Sequence, residues 1–128
     1  MFVTGQPTIS DMFIGAVLRR PIMSVDVPVM VDGQVRYALA IGVVPEQFNA
    51  ILLRQHLPPR WVAAILDRQG VIAGRSRMPE QFVGTRATAS LLARMRERGE
   101  GVGEAMTADG MRALVYYSRS PATGWTVA

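Results

Sequence analysis

The sequence predicts an α/β chain of the α+β kind: an antiparallel five-stranded sheet with short flanking helices, preceded by a partial second sheet. Three observations predict it. Apolar residues alternate with polar ones, or run unbroken for about six residues, at strand lengths and not helix lengths. Turn chemistry recurs between these runs, at Asp32-Gly33, Asp67 to Gly70 and Asp109-Gly110. Helical spacing is confined to short stretches near 46–55, 79–84 and 89–98.

The first ten residues hold turn formers and one short strand, and Asp11 to Val17 is expected to continue as a strand. Leu18 to Pro21 breaks it, because proline cannot donate to a ladder. From Ile22 to Met30 the residues alternate, and Met23, Val25, Val27 and Val29 form a wholly apolar side that should face a core. Asp32-Gly33 then turns the chain into Val35 to Val44, with Tyr37, Leu39 and Ile41 on one face.

Pro45 and Glu46 suit a first helical turn, and Phe48, Ile51, Leu52 and Gln55 share a face at helical spacing. His56, Leu57, Pro58 and Pro59 end this helix, and the stiff proline pair is the expected boundary between two modules, 1–59 and 60–128. The first would then be a three-strand sheet with an unpaired edge and an exposed apolar face, covered by a second copy or by the helix of 46–55.

Trp61 to Leu66 carries no charge and is rich in β-formers, so it reads as a strand buried on both faces. Asp67 to Gly70 turns it into Val71 to Ala73, where Gly74 marks a bulge or a close approach. Pro79 to Phe82 makes a single helical turn that Gly84 terminates. Thr88 is the expected N-cap of a helix over 89–98, with Leu91, Leu92 and Met95 as its stripe. Gly99, Gly101 and Gly103 read as a flexible connector. Val102 to Thr107 and Met111 to Ser120 pair across the third turn, with Ala113, Val115 and Tyr117 on one face and Leu114 and Tyr116 on the other. Pro121 to Gly124 leads into a last strand at Trp125 to Ala128.

Composition narrows the chemistry. The chain of 128 residues is 49% hydrophobic and 19% charged, too apolar for disorder and long enough to bury a core. Its net charge of +4 comes with no lysine at all, and the one dense basic cluster, Arg94, Arg96 and Arg98, is interleaved with Glu97 as on a solvated helix face. Nucleic acid is therefore not an expected partner. No cysteine is present, and a single histidine at a helix end gives neither a zinc site nor the support for a catalytic triad. Asp32, Asp67 and Asp109 are explained by turns. No metal, cofactor or enzyme activity is expected of these residues. No apolar run approaches the roughly 20 residues of a membrane span, so any anchoring helices would lie outside this sequence.

The order strand, turn, strand, helical excursion and three further strands, with AILDRQGVIAGRS, FVG and the closing GWTVA, resembles the PAS-like module of bacterial Cache sensors. It looks like the membrane-proximal half of a double Cache domain in a sensor histidine kinase, and residues 7–55 look like the last strands and connecting helix of the distal half. The resemblance implies a periplasmic sensory region that binds a small molecule such as an organic acid, forms a homodimer, and passes its signal to a following transmembrane helix. A curved PAS-like sheet implies an apolar pocket with a few polar anchors. The candidates are Arg75 and Arg77 at the end of the second strand, Phe82 and Arg86 in the helical excursion, and Tyr117 and Arg119 on the long strand. Arg75 is placed where a guanidinium could fork onto a carboxylate. Amino-acid sensors of this family carry a Tyr and an Asp where this chain has Phe13 and Gly15, so an ammonium lacks that partner here. A cytoplasmic PAS-type module that binds proteins through an open sheet edge is the alternative. A small hydrolase is a remote third.

Overall fold

The structure, a computed structural model, describes residues 4–128, and its turns explain most of its layout. Asp32 and Gly33 both take positive φ, 51° and 74°, as a tight two-residue hairpin requires. They join β3 (Pro21–Val31) to β4 (Gln34–Val43) in an antiparallel ladder running from Val31↔Gln34 to Met23↔Val43. The other edge of β3 takes β1 (Thr8–Ile9) and β2 (Phe13–Ile14), so this sheet has four strands instead of three. The strand expected over 11–17 shrinks to two residues. Gly15 to Arg20 closes a turn in which Gly15 N–H donates to Arg20 O at 3.0 Å and Arg19 N–H to Gly15 O at 2.8 Å.

The apolar side of this hairpin is only partly covered. Met23 is buried, but Val27, Val29, Tyr37, Leu39 and Ile41 are exposed. The register sets Val27 opposite Leu39 and Val29 opposite Tyr37, on one shared face.

Two compact units divide after Val44, and the helix α1 (Pro45–Leu53) falls in the second. The reason is direct contact. Asn49 Oδ1 accepts a hydrogen bond from the Arg75 backbone N–H at 2.9 Å, and the Phe48 ring lies 5.5 Å from that of Trp125. The division thus precedes the helix and does not fall at Pro58-Pro59, and α1 packs on β6 (Ile72–Arg75) within the second unit.

The second unit is a five-stranded antiparallel sheet in the order β6-β5-β9-β8-β7. Its other strands are β5 (Ala64–Leu66), β7 (Glu100–Met106), β8 (Arg112–Arg119) and β9 (Thr126–Val127). The closing segment lies between β5 and β8, with Ile65 and Ser118 both opposite Val127. Trp61 to Ala63 stays outside the strand. Trp61 N–H donates to Pro58 O, and its exposed ring stacks on Tyr116 at 6.5 Å and 6°. The β5–β6 turn is the one expected: Gly70 has φ +79°, and Asp67 Oδ1 accepts from Gln69 and Val71 N–H at 2.9 Å each.

One face of this sheet carries α2 (Pro79–Phe82) and α3 (Ala89–Glu97), and the core lies between. Leu66, Ile72, Ala87, Leu91, Met95, Ala105 and Tyr117 form it. Thr88 precedes α3, but its hydroxyl donates to Met106 O at 2.6 Å and does not cap the helix. Gly101 and Gly103 are not a connector; they lie inside β7. A Cβ on Gly101 would sit 3.0 Å from the Tyr117 hydroxyl, and one on Gly103 would meet the Arg94 guanidinium. Glycine is used there because other side chains cross the strand.

Gly74 shows both features that its position predicts. The β5–β6 register shifts between Ile65 and Leu66, and a Cβ on Gly74 would lie 2.6 Å from Phe48 Cβ and 3.3 Å from its backbone carbon. Gly74→Ala is expected to push α1 off β6 and to cost about 1–3 kcal/mol. Urea denaturation followed by tryptophan fluorescence checks this, and an unchanged midpoint would show that the close approach is not constrained.

Candidate functional site

The site begins with a charge where none would be expected. Arg75 closes β6, and its side chain is 2% exposed. A buried guanidinium needs partners, and three groups supply them. Arg75 Nη2 donates to Asp109 Oδ1 at 2.6 Å, delivered by the β7–β8 turn, and Nη1 donates to Arg77 O at 2.6 Å. The Phe82 ring, brought by α2, has the guanidinium carbon 4.5 Å from its centroid. Asn49 of α1 fixes the Arg75 backbone. Arg77, more exposed, reaches the other Asp109 oxygen at 3.5 Å.

Asp109 is the group that sequence reasoning passed over as a turn residue. It is one, since Gly110 N–H donates to Thr107 O across the turn, yet its carboxylate also bridges two arginines. Burial works to raise its carboxyl pKa. Hydrogen bonds from the Thr107 side chain and from Arg75, its own backbone N–H and the Arg75 charge outweigh this and hold it below its ordinary value. A carboxylate depressed in the folded state stabilises fully above its unfolded value of about 3.9, and that contribution is lost as pH falls through the folded value. The stability gap between wild type and Asp109→Asn is therefore expected to be wide at about pH 6 and to narrow at about pH 3. Urea midpoints at both pH values measure it, and a gap independent of pH would refute it.

Beside this pair lies a hollow of about 70 Å³, lined by Arg75 and by apolar groups from the sheet and α3, among them Leu66, Ile72, Leu91 and Val115. Thr88 and Thr107 add hydroxyls at the wall. It is far smaller than the roughly 300–1,000 Å³ of a drug-sized site and takes only a molecule of a few heavy atoms. A wider, apolar groove of about 460 Å³ lies between Trp61 to Ala63 and Ala113 to Tyr116. It opens because β9 pairs with β8 only at Ser118 and Arg119, which leaves the rest of that edge of β8 unfilled.

Of the six candidate ligand contacts, the structure sets Arg75, Arg77 and Phe82 together. Arg75 is the one that lines the hollow. Arg86 Nη2 donates to Gln69 O at 2.9 Å, at the β5–β6 turn. The Tyr117 hydroxyl donates to Arg94 O at 3.0 Å, and Arg119 Nη2 donates to Met95 O, so both fasten α3 to the sheet. In the first unit, Phe13 lies in β2 and a Cβ on Gly15 would meet Ile22 Cδ1 at 2.7 Å.

No family model matches the chain, and no curated protein matches it. Solved structures do. The extracellular domain of the histidine kinase rpHK1S-Z16 superimposes with a TM-score of 0.74 at 14% identity, over 96% of this chain and 52% of that one. The fold is that of a Cache-type sensor domain. The same sensor fold matches the ligand-binding domain of the Campylobacter jejuni chemoreceptor Tlp3, solved with 4-methylisoleucine, at a TM-score of 0.66 and 12% identity over 98% of this chain and 47% of that one. An extracellular ligand-binding receptor from Desulfohalobium retbaense matches at 0.71 and 19% identity, over 98% of this chain and 22% of the receptor. The chain spans about half the length of the kinase and chemoreceptor domains it matches. Among the described residues no helix is long and apolar enough to cross a membrane.

Proposed function

We propose that this chain is the extracytoplasmic, periplasmic sensory region of a bacterial signal-transduction protein, a histidine kinase, and that it binds a small molecule of the organic-acid class without catalysing a reaction. The observation that carries this reading is the sensor fold, matched over 96% of the chain at a TM-score of 0.74. A ligand would shift a pre-existing equilibrium in how α2, α3 and the β7–β8 turn pack on the sheet. The change would leave through β9, which touches both β5 and β8, towards a transmembrane helix of the longer polypeptide.

Homodimerisation belongs to the same reading. The exposed apolar side chains of β3 and β4 supply a surface that a second copy could cover. The alternative, a cytoplasmic module that binds proteins, is favoured by the apolar groove beside Trp61 and Tyr116.

A thermal-shift screen with small organic acids and amino acids tests the sensory reading. A ligand that binds only the native state stabilises it by RT ln(1 + [L]/Kd), several degrees at about a hundred times Kd. A shift with one chemical class supports sensing. No shift with any of them, combined with a shift on adding an apolar extended peptide, would move the assignment to the interaction module.

A further inference from the structure

We infer that Asp109 is an internal stand-in for the ligand: the hollow takes a compact monocarboxylate, whose carboxylate replaces that of Asp109 on Arg75. This rests on the sensory reading and gives it a site and a ligand class.

Three observations converge on it. Among the described residues, Arg75 is the one charged side chain in the wall of the hollow, and the rest of that wall is apolar apart from Thr88 and Thr107. One cation and an apolar lining select a single carboxylate with a short hydrocarbon tail. A second carboxylate would be left without a partner. The volume of about 70 Å³ restricts the tail to a few carbons. Finally, the group now holding Arg75 is carried by a turn, not by the rigid sheet. Asp109 lies in the Thr107 to Gly110 bend, and Thr107 and Ala108 of that same bend line the hollow. An acid arriving from the hollow therefore meets Arg75 beside the side chain it must displace, and the displaced Asp109 can move outward to Arg77, already within 3.5 Å. The exchange keeps the buried guanidinium paired throughout, so the cost of an unpaired buried charge is avoided. It also converts binding into movement of the β7–β8 turn.

A tethered carboxylate competes at a high effective concentration, so the wild type binds such acids weakly and loss of Asp109 should tighten binding. The experiment measures propionate and acetate binding, by calorimetry and by melting temperature, to the wild type, Asp109→Ala and Asp109→Asn. Ionic strength is held with chloride. Propionamide serves as the neutral control and succinate as the two-charge control. Both variants are expected to melt lower than the wild type and to recover several degrees with propionate. Their affinity should be at least about tenfold tighter than that of the wild type. Propionamide and succinate should do neither. Adding Arg75→Met to Asp109→Asn should abolish the effect.

Asp109→Asn keeps the shape of the side chain should the alanine variant fail to fold. The wild type supplies an independent reading: saturating propionate should speed amide exchange at Gly110 and Met111, whose N–H groups are held within the turn. Equal affinity in wild type and variants, rescue by propionamide, or unchanged exchange at the turn overturns the inference. The two proposals fail separately. If the wild type is stabilised by another ligand while the Asp109 variants ignore propionate, this site falls and sensing stands. If the variants are rescued but the wild type responds to no acid at any concentration, the swap falls, and the rescued cavity is then a created site.

Discussion

Arg75→Met is expected to destabilise the second unit by about 3 kcal/mol, at the lower end of what removing one partner of a buried ion pair costs. The loss comes chiefly from what remains. Asp109, with 11% of its side chain exposed, keeps its hydrogen bonds from Thr107 and its own backbone N–H, but its arginine contact changes from 2.6 Å to the 3.5 Å of Arg77, and the Arg77 carbonyl and the Phe82 ring lose the guanidinium that joined them. Arg77 is 45% exposed and can move towards Asp109, which is why the lower end of the range applies. The double variant Arg75→Met, Asp109→Leu removes both charges and should recover most of the loss, since apolar replacement of a buried pair is often neutral. The double-mutant cycle is read from urea midpoints followed by tryptophan fluorescence. Trp61 and Trp125 both lie in the second unit, so the signal reports the unit that contains the pair. Additive losses in the double variant would show that the two side chains do not depend on each other.

Leu66→Ala is expected to cost about 3–4 kcal/mol, within the usual range for truncating a fully buried leucine. Leu66 is 0% exposed and belongs to the core with Ile72, Ala87, Leu91, Met95 and Tyr117. Little can collapse into the space, because β6 and β9 flank it on both sides through ladder pairs to Ile72 and Thr126. The same side chain lines the hollow, so its removal enlarges the cavity as well as weakening the unit. Calorimetric unfolding gives the loss. A titration with straight-chain acids should show the preferred tail lengthening by one or two carbons relative to Asp109→Asn alone. Loss of stability below about 1 kcal/mol would mean that the core relaxes around the gap.

Much of the architecture was written locally. Asp32-Gly33 and Asp67 to Gly70 specify their hairpins through residues that tolerate positive φ or bond their own backbone, so those turns could be read without the rest of the molecule. Alternation from Ile22 to Met30 and from Ala113 to Tyr117 fixed which side chains share a face. The stripe Leu91 and Met95 located α3. Strand ends were less legible. Trp61 to Ala63 has the composition of a strand, yet apart from the bonds between Ala63 and Ser76 it joins no ladder, and composition alone does not say where a ladder stops.

Of the candidate site, sequence alone determined that an arginine closes the second strand of the unit, just after a glycine that marks a bulge or a close approach. It also determined that an aspartate sits in the last hairpin turn. Only the tertiary structure decided that these two meet, across 34 positions of sequence, and that Gly101 and Gly103 belong to a strand crossed by Tyr117 and Arg94. The physical reason is range. A turn or an alternating face is fixed by forces acting over a few bonds, whereas a buried ion pair exists only after the sheet, α1 and α2 have excluded water from around it.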